Sequence, residues 1–174
     1  MHEAWTHELD SWHEFFLLAG TAGVTLTGLL FVVVTLGPRV VANESATGVR
    51  AFISPIAVFF AATMVVSMVA LVPALPAVAF GALLCVGGAG SVGYLAYTRV
   101  HQRWRQNKLP VLDWVWYAGM PLAAYALLFV AGVGVLLQAA LAIHGAALAV
   151  VLLLVIGIRN AWDIVIWISQ QENK

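Results

Sequence analysis

Charge is scarce in this chain. Eight Lys/Arg and eight Asp/Glu make up 9 % of its 174 residues, against about 25 % in a soluble domain. That is too little polar surface to cover a water-soluble globule of this size. Cysteine is scarcer still. Cys85 stands alone in an apolar stretch, which excludes an intrachain disulfide framework and suits a thiol packed as a small hydrophobe. Net charge is zero, so nothing calls for a polyanion, and no nucleic-acid partner is expected. No Lys or Arg precedes Arg39, while Glu3, Glu8, Asp10 and Glu14 do. An acidic leader ahead of a long apolar run is not expected to be a cleavable signal peptide.

What the chain has in abundance is apolar residues, 63 % of the total, with a mean hydropathy of +0.96. Crossing a bilayer takes about 20 residues at 1.5 Å each. Phe15–Leu36 is one uncharged run, Ala51–Tyr97 a second and Val115–Ile158 a third. The second would be about 70 Å long as a single helix, so it must fold back, and Pro73 and Pro76 mark the turn. The third must also reverse, near Gly134–Gln138 or at His144-Gly145. The reading is an all-α polytopic membrane protein of five transmembrane helices forming a single domain over 1–174. Its spans are about 15–36, 51–72, 77–98, 113–137 and 139–168, behind an outer amphipathic segment, 1–14.

Charge placement bears on the count. With five spans, all eight Lys and Arg (Arg39, Arg50, Arg99, Arg103, Arg105, Lys108, Arg159 and Lys174) fall on one side, which the positive-inside rule makes cytoplasmic. The N-terminus is then outside. Trp5 and Trp12 flank the outer boundary, and Trp104, Trp114, Trp116, Trp162 and Trp167 gather at the inner one, as interfacial aromatics do. The last span is too long for the hydrocarbon, so one end overhangs. A turn near Gln138 leaves Arg159 at the surface, whereas a turn at His144 buries Arg159 and Asp163. The first is favoured, because an unpaired intramembrane charge is costly.

Three features could carry function. At 100° per residue, Glu3, His7, Asp10 and Glu14 share an arc that Thr21, Thr25 and Gly28 continue inward. That stripe reads as an acidic mouth leading to a hydroxyl-lined cation path, or as solvated acids above small residues that let helices approach. Arg159 and Asp163, spaced i,i+4 around Asn160, can pair on one face and serve as a gate or as an interfacial anchor. Gly20 and Gly23 on the first span, with Gly87, Ser91 and Gly93 on the third, supply small-residue packing faces. Gly119-Met120-Pro121 marks a kink in the fourth.

His2, His7, His13 and His144 fall at the outer side without metal-ligand spacing, so neither a metal nor another cofactor is expected. Gly88-Ala-Gly-Ser-Val-Gly93 lacks the βαβ setting of a nucleotide loop. Ser91-Val-Gly-Tyr94 lacks the final glycine and pore helix of a potassium filter. No nucleophile–base pair, paired intramembrane carboxylates or phosphate loop occurs, so no enzymatic activity is expected.

Trp12-His-Glu-Phe-Phe16, then Gly20-Thr-Ala-Gly-Val-Thr-Leu-Thr-Gly-Leu-Leu-Phe-Val32 and Leu36-Gly-Pro-Arg39, resemble the start of a family of small bacterial multi-pass membrane proteins. Arg159-Asn-Ala-Trp-Asp163 is similar to how such proteins end. The resemblance covers the first helix well and the last in part, and it implies a bacterial inner membrane. Some relatives carry the label of modulator of a membrane-bound AAA protease. Two functions follow as expectations. One is a homo-oligomeric channel for small cations, assembled in the lipid bilayer through small-residue faces. The other is a non-transporting scaffold or modulator of another membrane protein complex, docking through helix faces or the 99–109 connection.

Overall fold

With so few polar side chains to satisfy it, the backbone satisfies itself. The computed structural model describes residues 2–36, 46–102 and 115–171, and it contains helices and no strand among them. They are α1 (His2–Ser11), α2 (His13–Leu36), α3 (Ala46–Ala70), α4 (Ala77–Gln102), a π-helical turn (Val115–Gly119), α5 (Met120–Leu136) and α6 (Ala142–Gln171). Among the described residues, four stretches are long and apolar enough to cross a membrane: His13–Val33, Ala77–Tyr97, Val115–Leu136 and Ala142–Asp163. A shorter apolar stretch, Pro55–Ala70, belongs to α3. The cations Arg39, Arg103, Arg105, Lys108 and Lys174, with Trp104 and Trp114, lie outside the described residues.

The helices neighbour one another in the order α4–α5–α6–α3–α2, and α2 also reaches α6. α6 is the most buried of the four long stretches and α4 the least. The sequence of α6 accounts for its place. Ile143, Ala146, Val150 and Leu153 recur at helical spacing, and all are fully buried. α2 and α3 run antiparallel: Gly20 lies against Ser67, and Gly23 against Phe60 and Thr63. Farther along, Leu30 clusters with Ile56.

Each reversal has a local cause. Leu71–Pro76 links α3 to α4, with Ala74 in the left-handed region (φ 53°). The Pro76 carbonyl accepts the amides of Ala79 (3.0 Å) and Phe80 (3.1 Å), which starts α4. After α5, Gln138 adopts φ 57°. The Gln138 amide donates to Val135 O (3.1 Å) and the Ala139 amide to Gly134 O (2.9 Å). That pair of bonds is a Schellman cap with glutamine where glycine is usual.

The first polar stripe is not carried on one helix. The chain breaks at Trp12, leaving Asp10 on α1 and Glu14, Thr21, Thr25 and Gly28 on α2. Ser11 Oγ donates to Glu8 O at 2.6 Å, a local bond that competes with helix continuation. α1 is then held across the end of the bundle. The Trp5 indole N–H donates to Leu75 O at 2.9 Å, the Trp5 ring leans on Phe80, and Leu9 is buried.

α4 meets α5 through a face other than that of Gly87 and Gly93. Within the chain, a methyl group added at Gly87 or Gly93 would meet nothing within 4 Å. The contact face is Gly81, Leu84, Cys85 and Gly88, about half a turn away at 100° per residue. Gly88 stacks on Phe129, and Gly132 fits between Gly81 and Cys85. Glycine content alone marks both faces, and burial of Leu84 selects the one turned to α5.

Candidate functional site

Pro121 has no N–H to give the carbonyl of Tyr117, four residues back, and its ring crowds that carbonyl. The helix answers with the π-helical turn Val115–Gly119 immediately before Met120, a local widening that also re-aims side chains. Trp116 and Tyr117 lie in this turn, and both are directed onto the end of α6. The Arg159 guanidinium sits 4.9 Å from the centre of the Trp116 ring, a cation–π contact. Its Nη1 donates to Asp163 Oδ2 at 3.3 Å, and the Tyr117 hydroxyl donates to the same oxygen at 3.3 Å.

Asp163 is thus an acceptor shared between one cation and one phenol. Arg159 and Asp163 each keep 37 % of their side-chain surface exposed, so the pair contributes under about 1 kcal/mol to stability in a watery setting. Asn160, between them in sequence, is buried to 1 % exposure, and its Oδ1 has no hydrogen-bond partner among the described residues. The cluster can hold the end of α6 against the start of the α5 stretch.

Inside the bundle, three further polar atoms lack partners among the described residues: Thr63 Oγ1, Ser67 Oγ and the Tyr125 hydroxyl. Thr63 and Ser67 are fully buried, one turn apart on the face of α3 turned to Gly20 and Gly23. Ser91 of α4 lies near the Tyr125 side chain, without a hydrogen bond within 3.5 Å of its hydroxyl. Thr63 and Ser67 were visible in the sequence as an i,i+4 hydroxyl pair in an uncharged run. Trp116 and Tyr117 carried no such signal, because only the π turn brings them to Asp163.

The remaining stripe residues face away from the chain's own core. Asp10, Glu14, Thr21, Thr25 and Gly28 are all exposed. The Thr21 hydroxyl donates to Leu17 O and that of Thr25 to Thr21 O, both at 2.8 Å. Such bonds to the carbonyl four residues back are how threonine is accommodated on a helix surface. His7 and His13 are exposed, and His144 packs edge-on against Trp12 at 4.8 Å. Among the described residues, no three His, Cys, Asp or Glu side chains converge as a metal site. No protein-family model, characterised protein or solved structure matches the chain.

Proposed function

We propose that the chain is a five-span protein of a bacterial inner membrane, N-terminus outside and C-terminus cytoplasmic. In this reading it acts as a non-transporting scaffold or modulator, by lateral association with another membrane protein complex. Support for the fifth span comes from α3. It is 25 residues long and packs against α2 and α6, as a helix crossing beside them would. The orientation rests on the segregation of Lys and Arg.

One observation carries the modulator reading. Gly28 on α2 and Gly87, Gly90 and Gly93 on α4 have open space within 4 Å, on faces against which none of the described residues packs there. Small residues permit close helix approach in a membrane, and the family resemblance points to the same role. The interior of a single copy is filled, with Phe16, Phe80, Leu84, Ala124, Leu153 and Ile156 buried to 0 % exposure, which weighs against a path through one chain. The test is affinity purification of the full chain from its native membrane. A stoichiometric membrane partner lost in Gly90→Leu or Gly93→Leu, with unfolding temperature retained, is the expected result. A partner-free preparation would remove the reading.

A second reading, a homo-oligomeric path for small cations, has its own observation. Thr21 and Thr25 direct their hydrogens back to α2, leaving oxygen lone pairs on an exposed face below Asp10 and Glu14. Copies assembled around that face would line a path with oxygen. Potassium, sodium or proton flux in liposomes that falls in Thr25→Val would favour it over the modulator.

A further inference from the structure

At the end of the bundle capped by α1, the two short reversals leave a cavity of about 420 Å³, within the size range of small-molecule sites. Its walls include Trp5, Pro76, Val135 and Ile143, and two polar side chains line it, Glu8 from α1 and Gln138 from the α5–α6 turn. Neither of these makes a hydrogen bond to another described side chain, and Glu8 is partly buried. Trp5 is fixed by its bond to Leu75 O, so its ring is a wall and not a mobile flap. Gln138 holds a left-handed backbone conformation where glycine would be less strained, so the amide is present at a position whose backbone favours having no side chain.

We propose that this cavity binds an amphiphile carrying a protonated amine, its apolar portion against the exposed Pro76 and Val78 and its ammonium against Glu8. The chemistry selects the charge. Glu8 brings a carboxylate to the cavity wall, and the sequence supplies no lysine or arginine before Arg39. No lysine or arginine lines the cavity, which is bounded by segments from α1, the two reversals and the adjoining helix ends. An ammonium satisfies Glu8 by a charge-assisted hydrogen bond, can donate to the Gln138 carbonyl oxygen, and gains from the Trp5 ring face. A ligand that turned a carboxylate or phosphate toward Glu8 in place of the ammonium would be repelled by it.

The ammonium has two sources, a soluble amine and the headgroup of an aminophospholipid. The test uses the full chain in an uncharged, amine-free maltoside detergent, titrated calorimetrically with phenethylammonium, 2-phenylethanol and phenylacetate. These probes match in size and differ in charge. Saturable binding of phenethylammonium, tighter than the other two by about tenfold or more, is expected. Glu8→Gln should reduce it to the level of 2-phenylethanol. Ala139→Phe, at an exposed position on the cavity wall, should abolish binding of all three. Gln138→Asn, which tolerates the left-handed conformation, should weaken binding severalfold. Unfolding temperatures of the variants separate lost binding from lost fold. Equal affinity for phenylacetate, an unchanged Glu8→Gln, or no saturable binding would overturn the proposal. Added phosphatidylethanolamine that competes with phenethylammonium identifies the lipid as the source, and absence of competition identifies a soluble amine.

Discussion

The two faces of α4 use the same residue type in opposite surroundings. At Gly88 an added methyl carbon would stand 2.7 Å from the Phe129 amide nitrogen, while at Gly93 it would meet nothing within 4 Å. The first glycine exists so that α4 and α5 can touch backbone to backbone. The second does nothing for the fold of a single chain, which is why it directs attention to association. The same substitution should therefore have opposite signs on the two faces. Gly88→Ala is expected to destabilise the protein by about 1–3 kcal/mol through overpacking, offset in part by about 0.5–1 kcal/mol of helix propensity. Gly93→Ala gains the propensity and meets no clash, so it should be neutral or stabilising by up to about 1 kcal/mol. Thermal unfolding of the two variants in detergent checks this, and equal effects would break the comparison.

Threonine extends the contrast to the α2–α3 seam. Thr63 is fully buried with its hydroxyl unpartnered among the described residues, whereas Thr25 is exposed and bonded to Thr21 O. Valine has nearly the shape of threonine without the hydroxyl. Thr63→Val should stabilise the fold by about 1 kcal/mol, because an unsatisfied buried hydroxyl is removed and no cavity is created. Thr25→Val should leave stability within about 0.5 kcal/mol. A marked loss of stability at Thr63→Val would mean that the hydroxyl has a partner, such as an internal water.

The sequence discloses fold class more readily than neighbours, and these residues explain why. Uncharged runs such as Phe15–Leu36 must be helical whatever they pack against, since a lipid environment leaves backbone groups no other partner. Pro73 and Pro76 announce a reversal by chemistry, while Gln138 takes a conformation that its identity does not advertise. Glycines at 81, 87, 88 and 93 read alike until Leu84 is known to be buried. The Arg159–Asp163 pair was readable from i,i+4 spacing alone. Its partners Trp116 and Tyr117 lie more than forty positions away and arrive through a π turn, whose register depends on how Pro121 is accommodated. The break at Trp12 was hidden for a similar reason. It depends on α1 docking through Trp5 and Leu9, and the helical periodicity runs through it unbroken.

The smallest expected effect lies where neither face dominates, at the end of α6. Arg159 and Asp163 are about one-third exposed, intermediate between the buried seam and the open face. Tyr117→Phe deletes one long hydrogen bond and should cost a few tenths of a kcal/mol, and Asp163→Asn under about 1 kcal/mol. The size of the second effect measures depth. Removing one partner of an ion pair that lies in hydrocarbon leaves a lone charge there, at a cost of about 3–5 kcal/mol. A small loss in Asp163→Asn, shrinking further at high salt, therefore puts this end of α6 at the membrane surface, with Arg159 stacked on Trp116 as an anchor. A loss of several kcal/mol, insensitive to salt and restored by the double change Arg159→Gln with Asp163→Asn, would put the pair inside the bilayer. It would then act as a lock between α6 and the turn that carries Tyr117.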